Sequence, residues 1–531
     1  MGRTTGMIGS RIALVGSNRA EPEGAVLIGD VDPDERIVVA LHLKRRSPDK
    51  FQPGSAGDLA RLSQPITRHA LVAQRKRTHA RAAARIRKFA TANGLAVRDV
   101  DLAARVVMLE ASVRQMGQIF GARLCIYDDG QRRFRARIGQ LMIPTAIAPW
   151  TRAILGFDQR PLTARPVNRL LPLAGAGAGT GLWPTEIAAL YDIPLDRDAS
   201  PVCVGIIALG GGYLPADLAK ALTGMRRQDR AVIDQSVSGG GNNFGGGTQA
   251  DQEVALDLQI MAGLLPEARI VVYFAPNTIQ SLVAAINQAV FDDVHRPQVL
   301  SVSWGSAETF WTDPGRDAMQ AVLADAMRLR VSVVFAAGDQ LATAGVTDGA
   351  AHVWFPASSP YALGCGGTLP TLGSGGAVTA EAVWNDGFDG TGGGISDVFP
   401  VPAYQSKLAL PASVNDDAVR RGVPDVAAVA AGTPGYRVVL NGAETVKDGT
   451  SAVAPLWAAL IAIANAQRST PLGFLNSALY SNPSLFRPIT QGNNRDGGKG
   501  YDAGPGWNAC TGLGVPKGAD LIAALAATPV S

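Results

Sequence analysis

Gln298-Val-Leu-Ser-Val-Ser-Trp304 and Val331-Ser-Val-Val-Phe-Ala-Ala337 are two apolar runs separated by a helical pattern from Asp317 to Arg328. Strands this apolar need cover on both faces, and a strand–helix–strand order lays successive strands side by side in parallel. The alternation extends outward. Pro201-Val-Cys-Val-Gly-Ile-Ile-Ala-Leu209 reads as a buried strand and Pro215 to Met225 as a helix. A helix from Gln249 to Leu264 precedes the strand Ala268-Arg-Ile-Val-Val-Tyr-Phe274, and another follows from Ile279 to Phe291. The fold class is α/β, a doubly wound parallel sheet, in which function collects at the carboxyl ends of the strands.

The N-terminal part has another character. Residues 1–160 carry 27 Lys and Arg against 14 Asp and Glu, a net of +13, while residues 181–531 carry 20 against 31, a net of −11. The basic side chains lie along amphipathic segments without interleaved stacking aromatics, so the two halves are expected to bind each other and not nucleic acid. Residues 1–25 read as a tail. The strand Arg36-Ile-Val-Val-Ala-Leu-His-Leu-Lys44, a helical region from Pro65 to Asn93, a second helix from Arg105 to Phe120 and a hairpin around Asp128-Asp129-Gly130 predict a compact α/β unit over 26–160. Pro172-Leu-Ala-Gly-Ala-Gly-Ala-Gly-Thr-Gly181 has nothing to bury, which makes 161–181 a cleavable linker and 182–531 the second domain.

Cys125, Cys203, Cys365 and Cys510 are far apart, without metal or disulfide spacing. No apolar run is long enough to span a membrane, and residues 1–29 hold no signal-peptide core.

Three places could carry chemistry, and two others are set aside. Asp448-Gly-Thr-Ser-Ala-Val-Ala-Pro-Leu-Trp-Ala-Ala-Leu-Ile-Ala-Ile-Ala-Asn465 is a helix apolar almost all round, with Ser451 at its mouth and Pro455 expected in its first turn. Ser451 is either a helix cap or a nucleophile at the positive end of the helix dipole. Glu253 and Asp257, four residues apart, share one face of an otherwise apolar helix, where two carboxyls share a proton more easily than they both ionise. Asp339 stands at the carboxyl end of a central strand, either a turn residue or a protonated acid aimed at an oxyanion. Gly210-Gly-Gly212 lacks the sixth-position glycine of a dinucleotide loop, because Pro215 stands there. His295 and His352, the histidines of the second domain, occupy polar loops without a nucleophile-activating context, so a base must come from elsewhere.

Glu253-Val-Ala-Leu-Asp257-Leu-Gln, Ser303-Trp-Gly305, Ala336-Ala-Gly-Asp339 and Gly449-Thr-Ser451-Ala-Val-Ala-Pro455 follow one another along the chain. They are joined by Tyr273-Phe-Ala-Pro-Asn-Thr278, Val383-Trp-Asn-Asp386, Gly422-Val-Pro-Asp425 and Ala503-Gly-Pro-Gly-Trp507. Through these motifs nearly the whole chain resembles the sedolisin family of serine-carboxyl peptidases. The resemblance implies a subtilisin-like sheet preceded by a small ferredoxin-like α/β prodomain. It implies Glu253 as general base, Asp257 as its orienting partner, Ser451 as nucleophile, Asp339 in the oxyanion hole and Trp304 in support. It further implies a zymogen of an acid-active endopeptidase, acting outside the cell on polypeptides as a monomer. Its own prodomain would inhibit it until a cut within Leu173–Leu182.

Three positions depart from the family pattern. Ala208 stands where close relatives extend the catalytic network with a glutamate. The calcium loop keeps the backbone carbonyls of Ile489, Gly504 and Gly506 but has Pro488 and Asn508 in place of its aspartates. Calcium prefers six or more oxygens with carboxylates among them, so the expected cage is weak or metal-free. Trp354 replaces an acidic residue near the substrate cleft, which points away from basic substrate side chains.

Overall fold

The computed structural model describes residues 10–44, 52–162 and 181–528. In the first domain the strands are β1 (Val26–Asp30), β2 (Arg36–Leu43), β3 (Ala96–Asp101), β4 (Val106–Ser112), β5 (Arg123–Asp128), β6 (Arg133–Ile138) and β7 (Thr151–Leu155). Besides the short helix Ala56–Leu62, the helices are α1 (Arg68–Ala92) and α2 (Val113–Phe120). An antiparallel sheet in the order β3-β4-β2-β7 carries α1 between β2 and β3 and α2 after β4, which is the ferredoxin-like arrangement. β1, which precedes β2, forms a second sheet with β5 and β6, which are inserted before β7.

Two expectations are corrected here. The segment Arg105–Phe120 is not one helix. Val106-Val-Met-Leu-Glu-Ala-Ser112 pairs with β2, and the helix begins only at Val113, where the Ser112 and Gln115 side chains form a reciprocal capping box. Nor are residues 10–25 a free tail. Arg11–Ala13 pairs antiparallel with Met142–Pro144, and the buried Arg137 guanidinium donates to the Ser17 carbonyl. The expected cut site falls almost wholly outside the described residues; of it only Gly181 and Leu182 are seen, the latter donating its N–H to Gly435 O at 3.0 Å.

The second domain is built on β8 (Cys203–Leu209), β9 (Ile233–Ser236), β10 (Arg269–Ala275), β11 (Val299–Val302), β12 (Ser332–Ala336), β13 (Leu363–Leu372), β14 (Val378–Val383) and β15 (Val426–Val429). The order is β9-β10-β8-β11-β12-β13-β14, with β15 also on β13; all neighbours are parallel except the β13–β14 hairpin. Helices α3 (Gln249–Leu264) and α6 (Thr450–Ala466) cover one face, α4 (Ile279–Phe291) and α5 (Asp313–Arg328) the other. β8 shows why its run is continuously apolar. Val204, Ile206 and Ala208 join the core under α3 and α6, while Cys203, Ile207 and Leu209 join the core under α4 and α5. All four cysteines are buried thiols. Among the described residues no helix is long and apolar enough to cross a membrane.

The first domain sits on the α4/α5 face. Leu59, Leu62, Leu71, Ala153 and Leu155 complete the same hydrophobic core as Leu282, Met319 and Leu323. At its centre the buried Asp325 of α5 receives the guanidiniums of both Arg75 and Arg105, the latter at 2.9 Å. Arg68 donates to Val290 O at 2.9 Å, and Tyr361 donates to the buried Asp58 at 2.6 Å. Basic residues of one half thus meet acidic and carbonyl groups of the other.

Candidate active site

The carboxyl ends of β11 and β12 point at the start of α6. Gly449 turns the chain into that helix with φ +110°, a conformation open to glycine alone at little cost, while its N–H bonds Ala430 O at 2.7 Å. Thr450 and Ser451 follow as the first two helical residues, both buried, with Ser451 5% exposed. Pro455, expected in the first turn, lies two residues beyond it, in the second turn. It has no N–H to give the carbonyl four residues back, which is that of Ser451. Ser303 Oγ, just past β11, takes up that carbonyl at 3.2 Å and also bonds Asp257 Oδ1 at 2.8 Å. One hydroxyl therefore joins the helix of the carboxyl pair to the helix of the serine.

The single hydroxyl proton of Ser303 is shared between two acceptors, Asp257 Oδ1 and the Ser451 carbonyl. Burial, and then the neighbouring Glu253, push Asp257 well above the usual carboxylate range, against the Ser303 bond. Glu253, one turn earlier on α3, is itself 5% exposed.

Asp339 follows Gly338, whose φ of +99° and contact with Trp354 admit no side chain: a Cβ there would stand 2.6 Å from the indole. Oδ1 of Asp339 accepts both the backbone N–H and the hydroxyl of Thr450, each at 2.7 Å, and the Thr450 hydroxyl accepts Gly338 N–H at 3.1 Å. Burial raises Asp339 above its ordinary value although these bonds oppose it. Asp257 and Asp339 thus both reach the turn that carries Ser451, each through a hydroxyl or amide of a neighbouring residue.

Trp304 is buried, and its Nε1 has no hydrogen-bond partner among the described residues. The histidines are engaged elsewhere, His295 with Asp292 at 2.7 Å and His352 with Asp348 at 3.0 Å. Trp354 packs on Gly338 beside Asp339. Ser303 and Thr450 were visible in the sequence only as parts of motifs. Lys447 and Asp448, both buried just before the serine, gave no signal beyond the oddity of charge ahead of an apolar helix.

The calcium reading fails a direct test. Asn508 Nδ2 donates to Ile489 O at 3.0 Å and Gly504 O at 3.4 Å, two of the carbonyls that would ligate the metal. Its Oδ1 accepts Cys510 N and Thr511 N at 3.1 and 3.0 Å, so backbone donors fix which way the amide faces. The set Ile489, Gly504, Gly506 and Asn508 contains no carboxylate, and an N–H donor stands between its carbonyls. These residues do not fit a calcium ion.

Residues 23–160 match the family described as Pro-kumamolisin, activation domain, and residues 236–473 match the Subtilase family. The chain is 40% identical to kumamolisin from Bacillus sp. (strain MN-32) over 97% of its own length and 96% of that protein. It is 29% identical to sedolisin from Pseudomonas sp. (strain 101), over 77% and 73% of the two chains, and 29% identical to human tripeptidyl-peptidase 1, over 72% and 71%. The solved structure of Pseudomonas sedolisin, a serine-carboxyl proteinase, complexed with two molecules of pseudo-iodotyrostatin, superposes with a TM-score of 0.57 at 31% identity, covering 66% of this chain and 98% of that one.

Proposed function

The chain belongs to the sedolisin family of serine-carboxyl peptidases, and on that premise we propose that it is the zymogen of an acid-active endopeptidase whose nucleophile is Ser451. The observation that carries the reading is the pair of carboxyls, Asp257 and Asp339, tied to the first turn of α6. Glu253 takes the proton of Ser451 Oγ as that oxygen attacks the scissile carbonyl carbon. Asp257, protonated and held by Ser303, orients Glu253. Asp339 carries a proton on the oxygen not bonded to Thr450 and donates it to the oxyanion, a contribution of about 10²–10³ in rate for one such donor. Glu253 then protonates the leaving amine, and water releases the acyl group by the same steps reversed.

The chemistry selects acid. A carboxyl base with a reference pKa of about 4.3 stays usable where a histidine near 6.5 is already protonated. Asp339 must keep its proton, which burial and low pH both favour. Ca²⁺ takes no part in these steps. The first domain acts as an intramolecular inhibitor, seated through Asp325 and the shared core, and its release follows as acid protonates carboxylates while arginines keep their charge. Action outside the cell as a monomer on polypeptides, with neither nucleic acid nor membrane as partner, completes the reading.

The test is to hold the purified precursor at acid pH beside a Ser451→Ala control. Self-cleavage in the parent alone is expected. Absence of cleavage in both would make the protein a peptide binder.

A further inference from the structure

Lys447 ends the strand Ala443–Lys447, two residues before the turn at Gly449. Its side chain is wholly buried. Nζ donates to Gln252 Oε1, and the Gln252 amide is anchored in turn on Gly247 O at 2.9 Å. Gln252 immediately precedes Glu253 on α3, so the ammonium is fastened to the turn of helix that carries the base. Burial pulls Lys447 down to about 8, against the attraction of Asp448 and Glu253. Asp448 is pushed up to about 7 by burial and then by Asp339, with Asp389 adding to it. At acid pH Asp448 is therefore neutral and Lys447 charged, and the ammonium's remaining carboxyl partner is Glu253. Asp257 acts on the pair through Glu253, while Asp339 and Asp389 face Asp448.

A buried ammonium costs several kcal/mol, and an apolar side chain would pack against α3 without that cost. We propose that Lys447 is a positioning residue for the general base: fastened to Gln252, its buried positive charge keeps Glu253 ionised in solutions more acidic than burial of that carboxyl alone would permit. The inference rests on Glu253 being the base. Burial pushes a carboxyl toward the protonated form. A buried base loses its function as pH falls, unless a nearby cation opposes the effect.

The experiment is the pH profile of kcat/KM of the matured enzyme with Lys447→Gln, which keeps a hydrogen-bonding partner for Gln252 and removes the charge. An opposite charge within about 4–6 Å lowers a carboxyl pKa by roughly one to three units. Its loss should move the acid limb up by about one unit or more, a tenfold loss of activity at pH values on that limb. Lys447→Arg should restore the parent limb. A uniform drop across pH with the limb unmoved, or the same shift in Lys447→Arg, would overturn the proposal and leave Lys447 a packing residue. If Lys447→Gln does not fold, Lys447→Met carries the same measurement. Glu253→Gln separates the two readings. Activity surviving in it refutes the base assignment and the proposal together, whereas an inactive Glu253→Gln beside an unmoved limb in the Lys447 variants refutes the proposal alone.

Discussion

Replacing Asn508 by aspartate exchanges a donor for an acceptor at one buried atom. In the parent, Nδ2 supplies hydrogens to Ile489 O and Gly504 O, while Oδ1 takes those of Cys510 N and Thr511 N. Aspartate keeps the second set and loses the first. Two carbonyl oxygens then face a carboxylate oxygen across about 3 Å. Leaving a buried polar group unsatisfied costs roughly 1–3 kcal/mol, so the change is worth about 3 kcal/mol at neutral pH, where the new carboxyl is ionised. Unfolding entropy of about 2.1 cal/mol/K per residue gives the domain of roughly 350 residues about 0.7 kcal/mol/K, and the Tm should fall by about 4 °C. In acid the aspartate can carry a proton and donate to Ile489 O, so the deficit should shrink as pH falls. Scanning calorimetry in the Ser451→Ala background, which prevents self-digestion, measures this with chelator or with millimolar calcium. The parent should melt alike in both. Asn508→Asp should melt lower in chelator and recover in calcium, because the new carboxylate with the Ile489, Gly504 and Gly506 carbonyls restores a cation site. A parent stabilised by calcium, or an aspartate variant equal to the parent in both buffers, would refute the view that the Asn508 amide takes the metal's place.

Two further outcomes follow from the geometry. Asp325→Asn strands two buried guanidiniums at the domain interface; breaking one side of a buried pair costs about 3–5 kcal/mol, so a gel time course should show maturation faster by two or more powers of ten, and an unchanged rate would mean that Asp325 is no latch. Thr450→Val removes a hydroxyl that favours the ionised form of Asp339, so its pKa rises and the alkaline limb of kcat/KM should move to higher pH, while Thr450→Ser keeps the parent profile; a limb that stays put would separate Asp339 from catalysis.

Much of this protein could be read from the residues in order. Helices α3 and α4 run between the residues that the apolar pattern indicated, because strands apolar on both faces and helices of fixed period leave local signatures. The carboxyl pair was legible for the same reason: Glu253 and Asp257 are neighbours on any helix. Arg105–Phe120 misled because Val106, Leu109, Val113 and Met116 fit a helical spacing, while the partner that makes the first half a strand is β2, some seventy residues earlier.

What the sequence could not contain was contact between distant segments. Ser451 and Asp339 each carried two readings, cap or nucleophile, turn or acid. Folding supplied the arrangement, placing Ser303 on the carbonyl that Pro455 leaves open and Thr450 on the carboxyl of Asp339. The metal question divided likewise. Sequence showed that the carboxylates were missing, and only the tertiary structure showed an amide nitrogen standing between the carbonyls in their place. Periodicity is a property of neighbours along the chain. Hydrogen bonds that close a site join residues tens to hundreds of positions apart, and their directions exist only once the core has fixed the strands.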